Sequence, residues 1–324
     1  MTKPEVGSRY RSAASTPFRV ELPARWLSLG QFEDILRGNR LVAHARAGGA
    51  VVFTFPARAA VPAGVGLWLL SFLNQLAAVG TGLIHLEFAT PEGLFSYLDR
   101  NGFLQLLSAR ITTSPPRPAI SGADSHRGQA SGLVEIAPLI PGVTGGERQR
   151  IVGQVVDSLV NFYPSNDEQT RRLRNHVFTV LGELVDNVFS HSRTTLPGFV
   201  CLQAYHRSRA PRIQVGVSDS GIGIPASIRG IRDQRAARRS DAELVIQAFN
   251  QGLSRHGAHA GRGCGLPQCA ALAARYESTL FVRTPNARIV LHPATIQRPV
   301  HNAEIDNSVG SLRGTHIYIE FRTK

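Results

Sequence analysis

A stretch rich in proline, glycine and serine divides the chain into two parts. It runs from about 112 to 146 and includes Ser114-Pro115-Pro116, Pro118 and Gly145-Gly146. Proline and glycine interrupt both helices and strands, so this composition is typical of a linker. We therefore predict an N-terminal domain at 1–111, a linker at 112–146 with room for a docking segment at 133–140, and a C-terminal domain at 147–324.

The chain has the composition of a globular protein. Hydrophobic residues make up 43% and charged residues 18% of its 324 residues, which allows a core in each part. No apolar run approaches the ~20 residues that a membrane-spanning helix needs. The three cysteines, Cys201, Cys264 and Cys269, form no CxxC pair and are an odd number for a disulfide framework. We expect a cytoplasmic protein with free thiols and no membrane partner.

The formal net charge of +13 comes almost entirely from arginine, because the only lysines are Lys3 and Lys324. A P-loop and a eukaryotic-type protein kinase each need a lysine near the nucleotide phosphates, so neither kind of site is favoured. Any phosphate site must use backbone amides, arginines and a metal. The arginines are scattered, with one concentration at 229–239, and a nucleic-acid partner is therefore the less favoured interpretation.

Strand and helix patterns alternate in both parts of the chain, which predicts the α/β class. The N-terminal part shows strands at 51–55 and 83–88, a buried helix at 65–79, and a helix at 94–107 that is interrupted at Asn101-Gly102. The C-terminal part begins with helices at about 149–162 and 167–192, the second capped by Ser165 or Asn166. Strands at 199–205 and 213–217, a helix at 267–276, a hairpin at 280–291 and a strand at 316–321 follow.

The first of three motifs lies on the long helix, at Glu183-Leu-Val-Asp-Asn187. Residues four positions apart share a helix face, so Glu183 and Asn187 project together, with His191 one turn further. A carboxylate can accept a proton from water or a hydroxyl, and an amide oxygen can bind Mg²⁺. Taken alone, such a pattern is more often a solvated helix face.

The second motif, Asp219-Ser-Gly221-Ile-Gly223-Ile224, follows an apolar strand. An aspartate there can accept a hydrogen bond from an amine such as that of adenine, and glycines permit a sharp turn and close approach of a base. Taken alone, this pattern is more often an ordinary turn.

The third motif, Gly261-Arg262-Gly263-Cys-Gly265-Leu266, leads into a helix. Glycines before a helix N-terminus present backbone amides to phosphate. The spacing is not the dinucleotide-binding fingerprint, because no βαβ unit begins here and no suitably placed acidic residue follows.

These three motifs, followed by Gly314-Thr315 before a last strand, resemble in their order the GHKL superfamily. Its members include DNA gyrase, a heat-shock chaperone, mismatch-repair ATPases and histidine kinases. The resemblance covers about 149–324. It implies a two-layer α/β sandwich, the Bergerat fold, with a mixed sheet and helices on one face, next to a smaller N-terminal α/β domain. It also implies ATP and Mg²⁺ as ligands.

The resemblance also implies roles for individual residues. Asn187 would bind Mg²⁺, Glu183 would be the general base or its counterpart, and Asp219 would read adenine. The rest of the implied nucleotide site comprises Gly221, Gly223 and Ile224 at the adenine, Gly261, Arg262, Gly263, Gly265 and Leu266 at the phosphates, and Thr315 in support of the adenine side.

The segment at about 225–260 would be a lid that closes over ATP. It contains Arg229, Arg232, Arg235, Arg238 and Arg239, for which a solvated helix face and contact with phosphate or a partner are both open. Phe249 could seat the lid, although core packing is the more common role of a lone aromatic residue.

Two features narrow the function further. An autophosphorylating histidine kinase needs a histidine followed by an acidic residue, and neither His176 nor His126 fits.

In the N-terminal part, the β-α-β-α order and the turn at 97–103 resemble a STAS-like regulatory domain over about 50–107. This part is therefore expected to bind or regulate rather than catalyse.

We expect an Mg²⁺-dependent regulatory ATPase that hydrolyses ATP slowly and uses lid closure to switch its protein partners. The partner would bind the N-terminal domain or the lid, and a homodimer is compatible with the sequence. Two alternatives stay open. In one, the protein is an anti-sigma-type serine kinase in which Glu183 deprotonates a substrate hydroxyl. In the other, it is a scaffold that senses ATP without hydrolysing it.

Overall fold

The structure is a computed structural model. It describes residues 16–38, 40–123, 136–162, 167–205, 212–230, 236, 238–251, 265–292 and 302–322.

The N-terminal part folds around a four-stranded parallel sheet in the order β1-β2-β3-β4. Its elements are β1 (Phe18–Glu21), α1 (Leu29–Leu36), α2 (Arg40–Arg46), β2 (Val51–Phe55), α3 (Ala63–Val79), β3 (Ile84–Phe88), α4 (Leu94–Arg100), α5 (Phe103–Leu106) and β4 (Ile111–Ser114). The predicted break in the last helical stretch is present, because Gly102 has a φ of 83° between α4 and α5. Strand β2 is nearly all apolar, as expected for a central parallel strand with both faces covered.

The C-terminal part contains a seven-stranded sheet in the order β10-β9-β8-β11-β7-β6-β5. Its elements are β5 (Ala137–Leu139), α6 (Gly145–Phe162), α7 (Glu168–His191), β6 (Gly198–Tyr205), β7 (Arg212–Ser218), α8 (Gly223–Arg229), α9 (Asp241–Gln251), α10 (Gly265–Arg275), β8 (Thr279–Thr284), β9 (Ala287–His292), β10 (Asn302–Asp306) and β11 (His316–Arg322). The predicted cap of α7 is wrong. Asp167 is the N-cap, and its carboxylate accepts a hydrogen bond from the Thr170 amide at 2.7 Å.

One face of this sheet is covered by α6, α7, α9 and α10, which bury a common apolar core against the strands. An apolar stripe on α7 provides much of that core: Leu173, Val177, Val180, Leu181, Leu184 and Val188. The predicted α/β class, with a C-terminal α/β sandwich and a smaller N-terminal α/β part, is thus confirmed.

Two details of the implied fold differ. Each neighbouring strand pair in the seven-stranded sheet is antiparallel, so the described sheet is not mixed. The second face of the sheet is also covered, because α3 packs against β6, β7 and β11. Helix α3 is predominantly apolar and lies between the two sheets. Its polar residues Ser71, Asn74 and Gln75 are buried too, so it has no exposed polar face.

The contact between α3 and the larger sheet is close. A Cβ atom at Gly64 would lie 2.7 Å from the Tyr318 ring, and one at Gly216 would lie 3.2 Å from a Leu67 methyl group. The indole ring of Trp68 packs edge-on against Tyr318 at 6.0 Å between centroids. The backbones of helix and strand approach each other because glycines stand where a side chain would intervene.

A buried ion pair also joins the two parts. Glu33 of α1 and Arg283 of β8 are both fully buried, with 2.7 Å between Glu33 Oε1 and Arg283 Nε. Arg283 also donates to the Gly310 carbonyl at 2.6 Å. The predicted linker contributes to both sheets, through β4 and β5, so it is more than a connection. The division into domains itself remains a prediction.

Candidate functional site

Asp219 lies directly after β7 and is held by backbone groups on two sides. Its Oδ1 accepts from the Gly221 amide at 2.7 Å, and its Oδ2 accepts from the Thr315 amide at 3.2 Å. The Asp219 amide in turn donates to the Thr315 carbonyl at 2.9 Å. Burial raises the pKa of Asp219 to about 7, although the two amide donors act in the opposite direction. A buried carboxyl group with this pKa can serve as a hydrogen-bond acceptor near neutral pH.

Glycines allow the close packing around Asp219. A Cβ at Gly314, where φ is 96°, would collide with the Asp219 carbonyl oxygen. Gly221 is approached by the backbone of Ser192 at the end of α7, rather than by the cavity described next. Gly223 has a φ of 79°, a conformation that glycine adopts at little cost, and its amide group begins α8.

A cavity of about 620 Å³, including its part open to solvent, lies beside Asp219. Six of the predicted site residues line it together: Asn187, Asp219, Gly223, Ile224, Leu266 and Thr315. The hydroxyl oxygen of Thr315 accepts from the Ile224 amide at 3.1 Å, which ties the final strand to the start of α8. The predicted residues from three distant motifs therefore meet in one place.

The motifs did not reveal the apolar wall of this cavity. It is formed by Leu184, Val188, Val217, Ile228 and Ile317. Leu184 could have been found, because it lies three residues before Asn187 and therefore shares its helix face, and Val188 lies four residues after Leu184. His191 also lines the cavity, and its Nδ1 lies 3.1 Å from the hydroxyl oxygen of Ser227. A largely apolar cavity with a buried carboxylate acceptor suits an apolar ring that carries a hydrogen-bond donor.

The side chain of Glu183, a residue of α7, lies against the start of α10. It does not line the cavity, and a Cβ added at Gly265 would collide with its carboxylate. Burial, and then the charge of Asp186, raise the pKa of Glu183 above its ordinary value. The Glu183 carboxylate lies against the N-terminus of α10, where the helix dipole favours negative charge.

Asn187 lines the cavity and has the amide oxygen that a magnesium ion can use. Within the described ranges, no three His, Cys, Asp or Glu side chains come together as a metal cage. Mg²⁺ is often held by one or two protein ligands together with substrate phosphates and waters, so a single amide oxygen facing the cavity fits this ion.

Several predicted residues fall elsewhere. Gly261, Arg262 and Gly263, like Arg232 and Arg235, lie outside the described residues. Arg229 forms an ion pair with Asp241 of α9, while Arg238 and Arg239 are exposed. Phe249 is fully buried in the main core, which confirms core packing as its role.

Helices α8 and α9 of the predicted lid share a small apolar cluster of their own. Ile228, Leu244 and Ala248 pack together there, with Ile224 and Leu266 against them. Because Ile224, Ile228 and Leu266 also line the cavity, this cluster connects the lid segment to the cavity wall.

Residues 173–323 match the family model described as "Histidine kinase-, DNA gyrase B-, and HSP90-like ATPase". No curated protein matches the chain at a significant level. The STAS-like resemblance of the N-terminal part is not confirmed. Within the described residues, no helix is long and apolar enough to span a membrane. The match begins within α7 and ends after β11, and it contains the whole cavity. Residues 173–323 therefore form a GHKL-type, ATP-binding domain of the histidine kinase-, DNA gyrase B- and HSP90-like kind.

Proposed function

We propose that this domain binds Mg-ATP in the cavity beside Asp219 and hydrolyses it slowly. The observation that carries this proposal is the buried Asp219 carboxylate at an apolar cavity. The exocyclic amine of adenine would donate to that carboxylate, while the ring lies against Ile224 and the apolar wall. Guanine has a carbonyl in place of this amine and would leave Asp219 without a donor.

The phosphates would extend toward the start of α10. Gly265 and the glycines at 261 and 263 would offer backbone amides, and Arg262 a positive charge. Asn187 would be the protein ligand of the magnesium ion. When bound, the ion neutralises charge on the β- and γ-phosphates.

Glu183 would act as the general base. Its carboxylate would accept a proton from water as the water oxygen bonds to the γ-phosphorus and the bond to the ADP oxygen breaks. The raised pKa of Glu183 makes it a stronger base than an exposed glutamate. Its carboxylate lies against Gly265 at the N-terminus of α10, toward which the phosphates are proposed to extend.

Closure of the lid would follow nucleotide binding and change the surface offered to a protein partner. The cluster shared by α8, α9 and Leu266 supports this step, because the same residues form the cavity wall and the underside of the lid segment. A ligand in the cavity would therefore contact the lid directly.

Incubation of the full chain with γ-labelled ATP tests the proposal. We expect label in free phosphate. Label in protein would favour a kinase, and label retained in ATP would favour a sensing scaffold. Glu183→Gln should lower turnover by about 10²–10⁴-fold while ATP affinity stays near normal. Glu168→Gln is the matched control, because Glu168 is an exposed carboxylate on the same helix that pairs with Arg171 and Arg172.

The base-recognition part is tested by competition between ATP and GTP. A site built around a hydrogen bond discriminates by roughly 10⁴-fold against a ligand that lacks the partner group. Equal affinity for the two nucleotides would remove Asp219 from the proposed adenine site.

A further inference from the structure

A second cavity lies on the opposite side of the strand that ends at Asp219. It measures about 1080 Å³, including its part open to solvent. Its walls come from α2 and α3 of the N-terminal part, from the turn after α7, and from the loop before β11. Gln75 and Ser220 both line it, and Gln75 Nε2 donates to Ser220 Oγ at 3.0 Å. This back cavity therefore exists only where the two parts of the chain meet.

Three arginines line the back cavity: Arg46, Arg193 and Arg313. All three are exposed, no carboxylate lines the cavity, and none of the three pairs with an acidic side chain in the part of the chain that the structure describes. At another contact between the two parts of the chain, Arg37 is paired with Asp306 at 3.0 Å. Three unpaired positive charges around one concave surface favour an anionic ligand.

Arg193 has a backbone conformation that adds to this argument. It follows the C-cap of α7 and has a φ of 50°, in the left-handed region where helices commonly place glycine. A side chain with a Cβ is less favourable than glycine at such a position. The position nevertheless carries a long cationic side chain, and that side chain lines the cavity.

The other residues that line the back cavity indicate which groups a ligand would carry besides its negative charge. Val79 is exposed and Leu196 is partly exposed, so both offer apolar surface to the cavity, whereas Val42, Phe72 and Leu76 are buried. Hydroxyl groups of Thr195 and Ser311 lie among the arginines. An inorganic ion would use the arginines and hydroxyls and leave the apolar surface of Val79 and Leu196 in water.

We propose that the back cavity binds a small organic anion, with a phosphate or carboxylate group at the arginines and an apolar group against Val79 and Leu196. Guanidinium groups bind both anions through paired hydrogen bonds. The site is separate from the proposed nucleotide site, because the two cavities have no lining residue in common.

Direct binding by calorimetry, without nucleotide, tests this proposal on the full chain. The probes are phenyl phosphate, benzoate, their neutral analogue benzyl alcohol, and inorganic phosphate. We expect one of the two aromatic anions to bind more tightly than both inorganic phosphate and benzyl alcohol. The preferred anion then distinguishes a phosphate ligand from a carboxylate ligand.

Two variants test whether the aromatic anions bind in the back cavity. Replacement of two arginines together, Arg193→Gln with Arg313→Gln, should weaken the aromatic anion by at least about tenfold, the effect of losing a charged hydrogen bond. Arg58→Gln is the control, because Arg58 is exposed and lines neither cavity. Ala78→Phe is a second variant, because it leaves the arginines in place and fills the cavity from an exposed helix position. It should weaken phenyl phosphate and benzoate more than inorganic phosphate.

Unchanged binding of the aromatic anions in the double variant would overturn the proposal, as would equal binding of benzyl alcohol. Binding that is abolished by saturating ATP but retained in the double variant would place the probe in the nucleotide cavity and would also overturn it. None of these outcomes depends on whether the protein hydrolyses ATP.

Discussion

The two faces of the seven-stranded sheet differ most at the end of β7. Side chains alternate between the two faces along a strand. Here Asp219 lines the cavity that is proposed to bind nucleotide, called the front cavity below, while its neighbours Ser218 and Ser220 contact α3 on the back face of the sheet. The hydroxyl oxygens of Ser218 and Ser71 lie 2.6 Å apart, and Ser220 accepts from Gln75. The front face carries the family motif, and the back face holds that motif in place from a part of the chain that the family match does not include.

A buried polar relay on the back face continues this support to β11. The Arg313 carbonyl can only accept, so His316 Nε2 donates to it at 2.8 Å, and His316 Nδ1 is left to accept from Ser218. Burial lowers the pKa of His316 to about 3, so the ring is neutral at physiological pH. The residues next to Asp219 and Thr315 are thus fixed by hydrogen bonds that the front cavity does not provide.

The largest expected effect tests whether the back face is part of one folding unit. Glu33→Leu leaves the fully buried Arg283 without its counter-charge, and breaking such a pair typically costs about 3–5 kcal/mol. Urea unfolding of the full chain measures it. Glu87→Gln is the control, because its pair with Arg19 is exposed and such pairs contribute about 0–1 kcal/mol.

A second substitution, Arg283→Met in the Glu33→Leu background, should recover most of that loss, since apolar replacement of a whole buried pair is often neutral or stabilising. If Glu33→Leu changes stability no more than Glu87→Gln does, the two parts are not joined through this pair.

A smaller effect is expected at the glycine behind Asp219. Gly314→Ala places a Cβ against the Asp219 carbonyl at a φ of 96°, and strain of this kind costs about 1–3 kcal/mol. Gly182→Ala is the matched control, because a Cβ there meets no atom within 4 Å and alanine is the better helix former. Thermal unfolding should show a lower melting temperature for the first variant and an equal or higher one for the second. The opposite order would contradict the packing described around Asp219.

The sequence predicted the front face better than the back face. Each motif there is local, and residues such as Asn187 and Asp219 have a fixed relation to their own helix or strand. The back face depends on pairs such as Glu33 and Arg283, which are 250 residues apart and have no local pattern. The one available signal was the predominantly apolar α3, which predicted a buried helix but not the sheet that would cover it.

Gln75 offers a test of how strongly the back face supports the front cavity. Its side chain exchanges hydrogen bonds with the Arg313 backbone, 2.9 Å in each direction, and donates to Ser220. Gln75→Leu removes these bonds, and we expect nucleotide affinity to fall about tenfold, which corresponds to one or two net hydrogen bonds. Gln75 is a positioning residue, since it does not line the front cavity.

Asn74→Leu is the matched control for Gln75→Leu. Asn74 is a buried amide on the same helix, but it bonds the Leu106 carbonyl and the Ser108 amide in the N-terminal part. Both variants should lose similar stability, and only Gln75→Leu should change nucleotide affinity and its pH dependence. Equal effects on affinity would mean that α3 acts only through overall stability.

The smallest expected effect is the release of protons on nucleotide binding. It tests Asp219 in the front cavity without changing any residue of the back face. Burial raises the pKa of Asp219 from 3.8 to about 7, so the group favours folding below pH 4 and loses that contribution as pH rises through 7. An adenine amine prefers the ionised carboxylate and should lower this pKa. Affinity should therefore fall as pH drops below 7, and binding at pH 7, where the group is about half protonated, should release up to about half a proton. Calorimetry in buffers of different ionisation enthalpy measures the release. The same titration with Asp219→Asn accounts for protons from the nucleotide phosphates, so an identical release from both proteins would mean that adenine is not bound at Asp219.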